Sequence, residues 1–101
     1  MRGMDTDGKR SELRERIDTF VRRVEMKRMP PDRWEGHWTT LAIAHLRGGD
    51  LAASENAIRH AETPYRLRPQ MDTPMVGGRH LTIEELRFIF NQFLGPQEGV
   101  G

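Results

Sequence analysis

The run Gly48-Gly49-Asp50 constrains the fold of this chain more than any other feature, because it separates two amphipathic stretches by only a few residues. Before it, side chains recur at helical steps of three and four at Trp34, Trp38, Leu41, Ala42, His45 and Leu46. After it, the same spacing continues at Leu51, Ser54, Ile58 and Ala61. Glycine ends a helix in the left-handed conformation, and Asp50 is a good cap for the next helix. So short a connection predicts an antiparallel helical hairpin.

A further helix is predicted on each side of the hairpin. The first is predicted to begin at Ser11, a suitable N-cap, and to end before Pro30-Pro31. The last starts at the capping box of Thr82 and Glu85 and stops at Gly95-Pro96. The expected class is all-α, a four-helix arrangement with helices over 11–29, 32–47, 50–63 and 82–94 in one domain, 11–95. A long irregular loop over 64–80 precedes the last helix, and flexible tails are expected at 1–10 and 96–101. The core is expected to include Trp34, Trp38, Leu41 and Ile58.

The composition narrows the class of protein. The chain has 16 basic and 15 acidic side chains in 101 residues, a balance that argues against a protein devoted to nucleic-acid phosphates. It has no cysteine, which excludes disulfides, thiol catalysis and cysteine-ligated metals. The N-terminus lacks the apolar run of a secretory signal, and no stretch reaches the roughly 18 apolar residues that span a bilayer. We expect a cytoplasmic protein that does not contact a membrane.

The hairpin over residues 38–64 resembles a single tetratricopeptide repeat. The pattern of that family has a tryptophan, a leucine and a small residue on the first helix, which correspond to Trp38, Leu41 and Ala42. Small and bulky apolar residues on the second helix correspond to Ser54, Ile58 and Ala61. His45 stands where the family has tyrosine, and Pro64 comes about two residues early.

The resemblance implies a helical hairpin that binds a protein or peptide segment in a groove. Any antiparallel helical pair with a short turn would show similar spacing, so generic packing stays open as the alternative. The pattern is not repeated elsewhere in the chain, and a solenoid needs about three repeats. An array of repeats is therefore not expected.

Catalytic and metal-binding patterns are not found. His37 and His45 lie eight residues apart, about 80° around a helix, which is not the i, i+4 spacing that grips zinc. The adjacent carboxylates Glu84 and Glu85 are explained by the capping box and the helix dipole. Neither a nucleophile elbow nor a phosphate-binding glycine loop occurs. We expect no enzymatic activity, no cofactor and no metal.

Two features predict a contact surface for a partner. The loop over 64–80 joins a tyrosine, arginines and methionines, which suit adaptable contacts. On the last helix, Phe88 lies off the main apolar stripe and would leave an aromatic ring exposed. The candidate partner-binding residues are Tyr65, Arg66, Arg68, Arg79, Phe88 and Phe93.

The expected function is a non-catalytic protein–protein interaction module, an adaptor or an accessory or regulatory subunit. Its partner would bind the 64–80 loop and the last helix. One alternative is a homodimer with a structural role that packs through the last helix. Another is a nucleic-acid-binding regulator that uses the 64–80 loop and the first helix, where Arg16, Arg23 and Lys27 share a face. The acids interleaved with these cations favour a solvated, ion-paired face instead.

Overall fold

A computed structural model describes residues 2–68 and 80–95 of the chain, with side chains described from residue 8 onward. It contains four α-helices, α1 (Arg2–Lys27), α2 (Arg33–Gly48), α3 (Leu51–Glu62) and α4 (Ile83–Leu94), and one 3₁₀ turn, η1 (Tyr65–Leu67). No strand occurs in the described ranges. The all-α class and the four helices are therefore confirmed. Of the loop predicted over 64–80, residues 69–79 lie outside the described part, as does the tail predicted over 96–101.

Local hydrogen bonds start α2 and α4 where the sequence predicts. Asp32 accepts the N–H of Glu35 at 2.8 Å, and the Glu35 carboxylate accepts the N–H of Asp32 at 3.0 Å. Thr82 and Glu85 make the same reciprocal pair at the start of α4. Each capping box satisfies donors that a helix N-terminus otherwise leaves without partners.

The turn between α2 and α3 has the conformation predicted for it. Gly49 adopts a left-handed φ of 88°, which a side chain would disfavour, and its N–H donates to Leu46 O at 3.1 Å. Asp50 then caps α3 by accepting the N–H of Ala53 at 3.1 Å. Across the pair, the buried Ser54 hydroxyl donates to Ala42 O at 2.9 Å. The antiparallel pairing is observed, while the tetratricopeptide resemblance stays a prediction.

The first helix differs from its predicted bounds at both ends. It begins at Arg2 and not near residue 11, so the stretch predicted as a tail is helical from residue 2. Ser11 does not act as a cap because the preceding residues include no proline, and a glycine such as Gly8 costs a helix only about 1 kcal/mol. At the other end, α1 stops at Lys27 because Arg28 turns to a left-handed φ of 56° ahead of Pro30.

The core lies between α1 and α2. Helices α3 and α4 each contact both of these helices. The largest completely buried apolar side chains come from all four helices: Leu13, Ile17, Val21, Ile43, Leu46, Ile58 and Leu86. Trp34 and Ile58 are buried as expected, and Trp38 and Leu41 pack against the core while staying partly exposed.

Ion pairs and hydrogen bonds between helices show in which direction α3 and α4 run relative to α1. Lys9 pairs with Glu55 and Arg16 with Glu62, so α1 and α3 run parallel. Arg14 donates to Leu94 O and Arg87 binds Glu25, so α4 runs antiparallel to α1. One end of the bundle therefore gathers the C-termini of α1 and α3, the N-termini of α2 and α4, and η1.

Candidate functional site

A cleft opens at this end of the bundle, between the C-terminal half of α1, the first turn of α2, the end of α3 and η1. Its volume is about 400 Å³. We call it the η1 cleft. Apolar side chains line it at Phe20, Val24, Ala61 and Pro64, and Tyr65 stands beside them. Phe20, Val24 and Ala61 are almost completely buried beneath it, so Pro64 and Tyr65 are its exposed apolar side chains and the rest of its surface is mainly polar.

The exposed large apolar side chains concentrate near the η1 cleft. Tyr65 is 83% exposed and lines the cleft, and Leu67, on the same 3₁₀ turn, is 66% exposed. Met26 and Met29 flank the last residues of α1 and are also exposed. Methionine, leucine and tyrosine are residue types that adapt to a partner surface. These four exposed apolar side chains lie at the same end of the bundle as the cleft.

The acidic side chains that line the cleft are all paired within the chain. Glu62 accepts two hydrogen bonds from Arg16, at 2.7 and 3.1 Å, and this contact raises the pKa of Arg16. Asp32 pairs with Arg68 at 3.1 Å. Glu35 is engaged by the capping box and lies 4.0 Å from Arg68. These carboxylates are therefore neutralised by structure already present.

The cations that α1 contributes to the cleft are different. Arg23 and Lys27 line it and have no acidic partner among the described residues. Arg23 lies over the ring of Phe20, with its guanidinium carbon 5.8 Å from the ring centroid. On η1, Arg66 is exposed and forms no ion pair within the described part of the chain. The unpaired charge around the cleft is thus positive.

Arg68 holds η1 against the rest of the fold. Its guanidinium lies between two rings, 5.3 Å from the Trp34 centroid and 5.5 Å from the Tyr65 centroid. It also donates to Thr63 O at 3.1 Å, in addition to its ion pair with Asp32. Only 10% of the side chain is exposed. Arg68 therefore positions Tyr65 and is itself largely covered.

The structure divides the predicted contact residues among three places. Tyr65, Arg66 and Arg68 lie together at η1. Phe88 is 64% exposed on the outer face of α4 and is not part of that cluster. Phe93 is 39% exposed and lies under Arg47, beside a small pocket near the other end of the bundle. Arg79 lies outside the described residues.

The α1 cations are paired less than the sequence predicts. The face with Arg16, Arg23 and Lys27 is predicted to be ion-paired, and of these three only Arg16 has an acidic partner among the described residues. The signal was present in the sequence, because an acid four residues before Arg23 or Lys27 would support pairing and these positions hold Thr19 and Arg23. The cleft itself left no local signal, since its walls come from four separate elements.

The histidines form no metal site in the described residues, where no three metal-ligating side chains cluster. His60 stacks on Trp38 with ring centroids 4.3 Å apart, and its carbonyl accepts the indole N–H of Trp34. Burial lowers the pKa of His37, which lies edge-on to Trp38. These rings pack within the hairpin, and in the described residues they do not form a set of ligands that could hold a metal ion.

No known protein family, curated protein or solved structure matches this chain. No helix in the described ranges is long and apolar enough to cross a membrane. Function is therefore inferred from the geometry of the η1 cleft and its surroundings.

Proposed function

We propose that this chain is a non-catalytic protein–protein interaction module that acts as an adaptor or an accessory subunit. The observation that carries the proposal is the exposed pair Tyr65 and Leu67 on η1, beside a cleft of about 400 Å³. Exposed aromatic and aliphatic side chains next to a pocket are typical anchors of protein interfaces. Arg68 supports the proposal because its guanidinium lies over the ring of Tyr65, a contact that favours one position of the ring and so lowers the entropy cost of binding.

The proposal is tested by recovering partners from the native lysate with the tagged full chain. A Tyr65→Ala, Leu67→Ser double variant removes the two anchors without touching a buried side chain. We expect it to lose any specific partner, while Phe88→Ala on the outer face of α4 keeps it. Thermal unfolding of both variants checks that the fold is retained. Loss of the partner with Phe88→Ala alone would place the surface on α4 and overturn the proposal.

A homodimer is the second candidate, and the exposed ring of Phe88 is the observation that favours it. Most of the apolar stripe of α4 is already used within the chain, since Leu86 and Phe90 are buried in its own core. A dimer would therefore depend on Phe88 and its polar neighbours. Light scattering at increasing protein concentration measures whether the mass is that of a monomer or of a dimer. If a dimer forms, Phe88→Asp should restore the monomer.

A further inference from the structure

The η1 cleft combines two exposed apolar side chains, Pro64 and Tyr65, with cations that have no acidic partner in the described part of the chain. The carboxylates of Asp32, Glu35 and Glu62 are engaged by arginines or by the capping box, as described above. Arg23 and Lys27 are the two lining charges without an acidic partner in the described ranges. They lie one helical turn apart on α1, so their side chains reach the same edge of the cleft.

We propose that the η1 cleft binds an acidic, amphipathic segment of a partner protein. This inference rests on the proposed function and deepens it by naming the chemistry of the partner. An apolar side chain of the segment packs against Pro64 and the ring of Tyr65, which are the exposed apolar side chains of the cleft. Carboxylates that flank this side chain on the segment pair with Arg23 and Lys27. Charge complementarity selects the partner and speeds its association, and the apolar contact provides most of the affinity.

The cleft fits a protein segment better than a nucleic acid. A nucleic acid brings a continuous row of phosphates and needs several cations along it. Here the two unpaired cations lie within one turn of helix, and the cleft is also lined by three carboxylates, Asp32, Glu35 and Glu62. Arg16 and Arg68 are paired with two of these carboxylates, so they are not available to bind further phosphates. A segment with one apolar side chain between two carboxylates matches the charges and the volume of about 400 Å³.

The experiment measures binding of the full chain to fluorescein-labelled synthetic peptides by fluorescence anisotropy. The peptides form a small library in which glutamate or aspartate alternates with leucine or phenylalanine. A matched library has glutamine and asparagine in place of the acids. The cleft variant is Arg23→Glu with Lys27→Glu. The control variant is Arg10→Glu with Arg59→Glu, which changes the net charge equally at exposed positions outside the cleft lining.

We expect at least one acidic peptide to bind, and the cleft variant to weaken it by about tenfold or more. The control variant should change the affinity by less than about twofold, and the amide peptides should bind about tenfold more weakly. Tyr65→Ala should weaken binding by about fivefold through loss of the apolar contact, because truncated interface anchors typically cost at least 1 kcal/mol. Equal losses in the cleft and control variants would show non-specific attraction and overturn the inference.

Two further probes separate other occupants from the proposed one. Single-stranded RNA and vesicles with anionic lipid are titrated with the same variants. If either binds in a manner that depends on Arg23 and Lys27 while no acidic peptide does, the cleft serves phosphates and the inference is wrong. If no probe binds but a lysate partner still depends on Tyr65 and Leu67, the inference fails and the proposed function stands. If no probe binds and no lysate partner depends on Tyr65 and Leu67, the inference and the proposed function both fail.

Discussion

The two sides of α1 differ in how their charges are used. On the side that faces α4, Arg87 binds Asp18 at 3.0 Å and Glu25 at 2.9 Å, so the charges are closed into an internal network. On the side that faces the η1 cleft, Arg23 and Lys27 have no acidic partner in the described part of the chain. Both sides are rich in charge and belong to one helix. The comparison teaches that charge pairing, and not charge content, distinguishes the internal interface with α4 from the side of α1 that faces the cleft.

The apolar side chains follow the same division. Beneath the Arg87 network, Leu86 and Phe90 are buried and join α4 to the core. Beside the cleft, Tyr65 and Leu67 remain exposed. A paired polar network over buried apolar residues stabilises the fold, whereas unpaired cations around exposed apolar residues do not. Substitutions on the two sides should therefore have different consequences.

The largest expected effect comes from the apolar contact on the α4 side. Leu86→Ala removes a completely buried side chain and should lower the free energy of unfolding by about 2–5 kcal/mol. Urea denaturation followed by circular dichroism measures the change. A cost below about 1 kcal/mol would mean that α4 contributes little to the core, and the contrast between the two sides would disappear.

The next prediction compares the stability lost on replacing one cation on each side of α1, Arg87 and Lys27. Arg87→Met leaves Asp18 and Glu25 without their shared partner and should destabilise the fold by about 1–3 kcal/mol. Lys27→Met, the matched change on the cleft side, should change stability by no more than about 0.5 kcal/mol. Equal costs at the two positions, measured by the same denaturation, would show that Lys27 is as much a part of the fold as Arg87.

Arg68 is the exception on the cleft side, and it sharpens the comparison. Arg68→Met removes the ion pair with Asp32, the hydrogen bond to Thr63 O and the contacts with two rings. We expect a loss of about 1–2 kcal/mol, between the values for Lys27 and Arg87. The nuclear Overhauser contacts between Tyr65 and Trp34 should weaken as well. Unchanged contacts would show that η1 is held by its backbone alone.

The smallest effect concerns the protonation of Glu25. The hydrogen bond from Arg87 holds the pKa of the Glu25 carboxyl below its ordinary value. The pair therefore stabilises the fold above that ordinary value, and its contribution is lost as the pH falls through the lowered pKa. In Arg87→Met the pKa of Glu25 should return toward its ordinary value, as measured by carbon NMR titration. The stability difference between this variant and the native chain should shrink in acid.

Local signals in the sequence were sufficient to predict most of the fold. The capping boxes at Asp32 and Thr82 and the glycine at position 49 act through residues within one turn, so the sequence contains the whole of each motif. The start of α1 was predicted wrongly near Ser11. A residue that can cap a helix does not start a new one when the residues before it can also be helical, as residues 2–10 are.

The candidate site was less predictable because it is assembled from distant segments. Arg66 and Arg68 lie two positions apart in the same stretch, yet one is exposed and the other is largely covered by Trp34 and Tyr65. No periodicity in a three-residue turn distinguishes them. The pairing of Arg16 with Glu62 crosses 46 positions, whereas Arg23 and Lys27 on the same face have no acidic partner among the described residues. Only the tertiary fold decides which charges meet.

Asp32 connects the cleft to the start of a helix, because its two carboxylate oxygens have separate tasks. One oxygen accepts the N–H of Glu35 and begins α2, and the other pairs with Arg68, whose guanidinium lies over the ring of Tyr65. If the cleft binds the proposed segment against Tyr65, binding and fraying of the first turn of α2 are linked equilibria. A mutation that loosens the cap would then lower the affinity for that segment, by reciprocity. The proposed complex would in this way couple binding to the stability of one helix terminus.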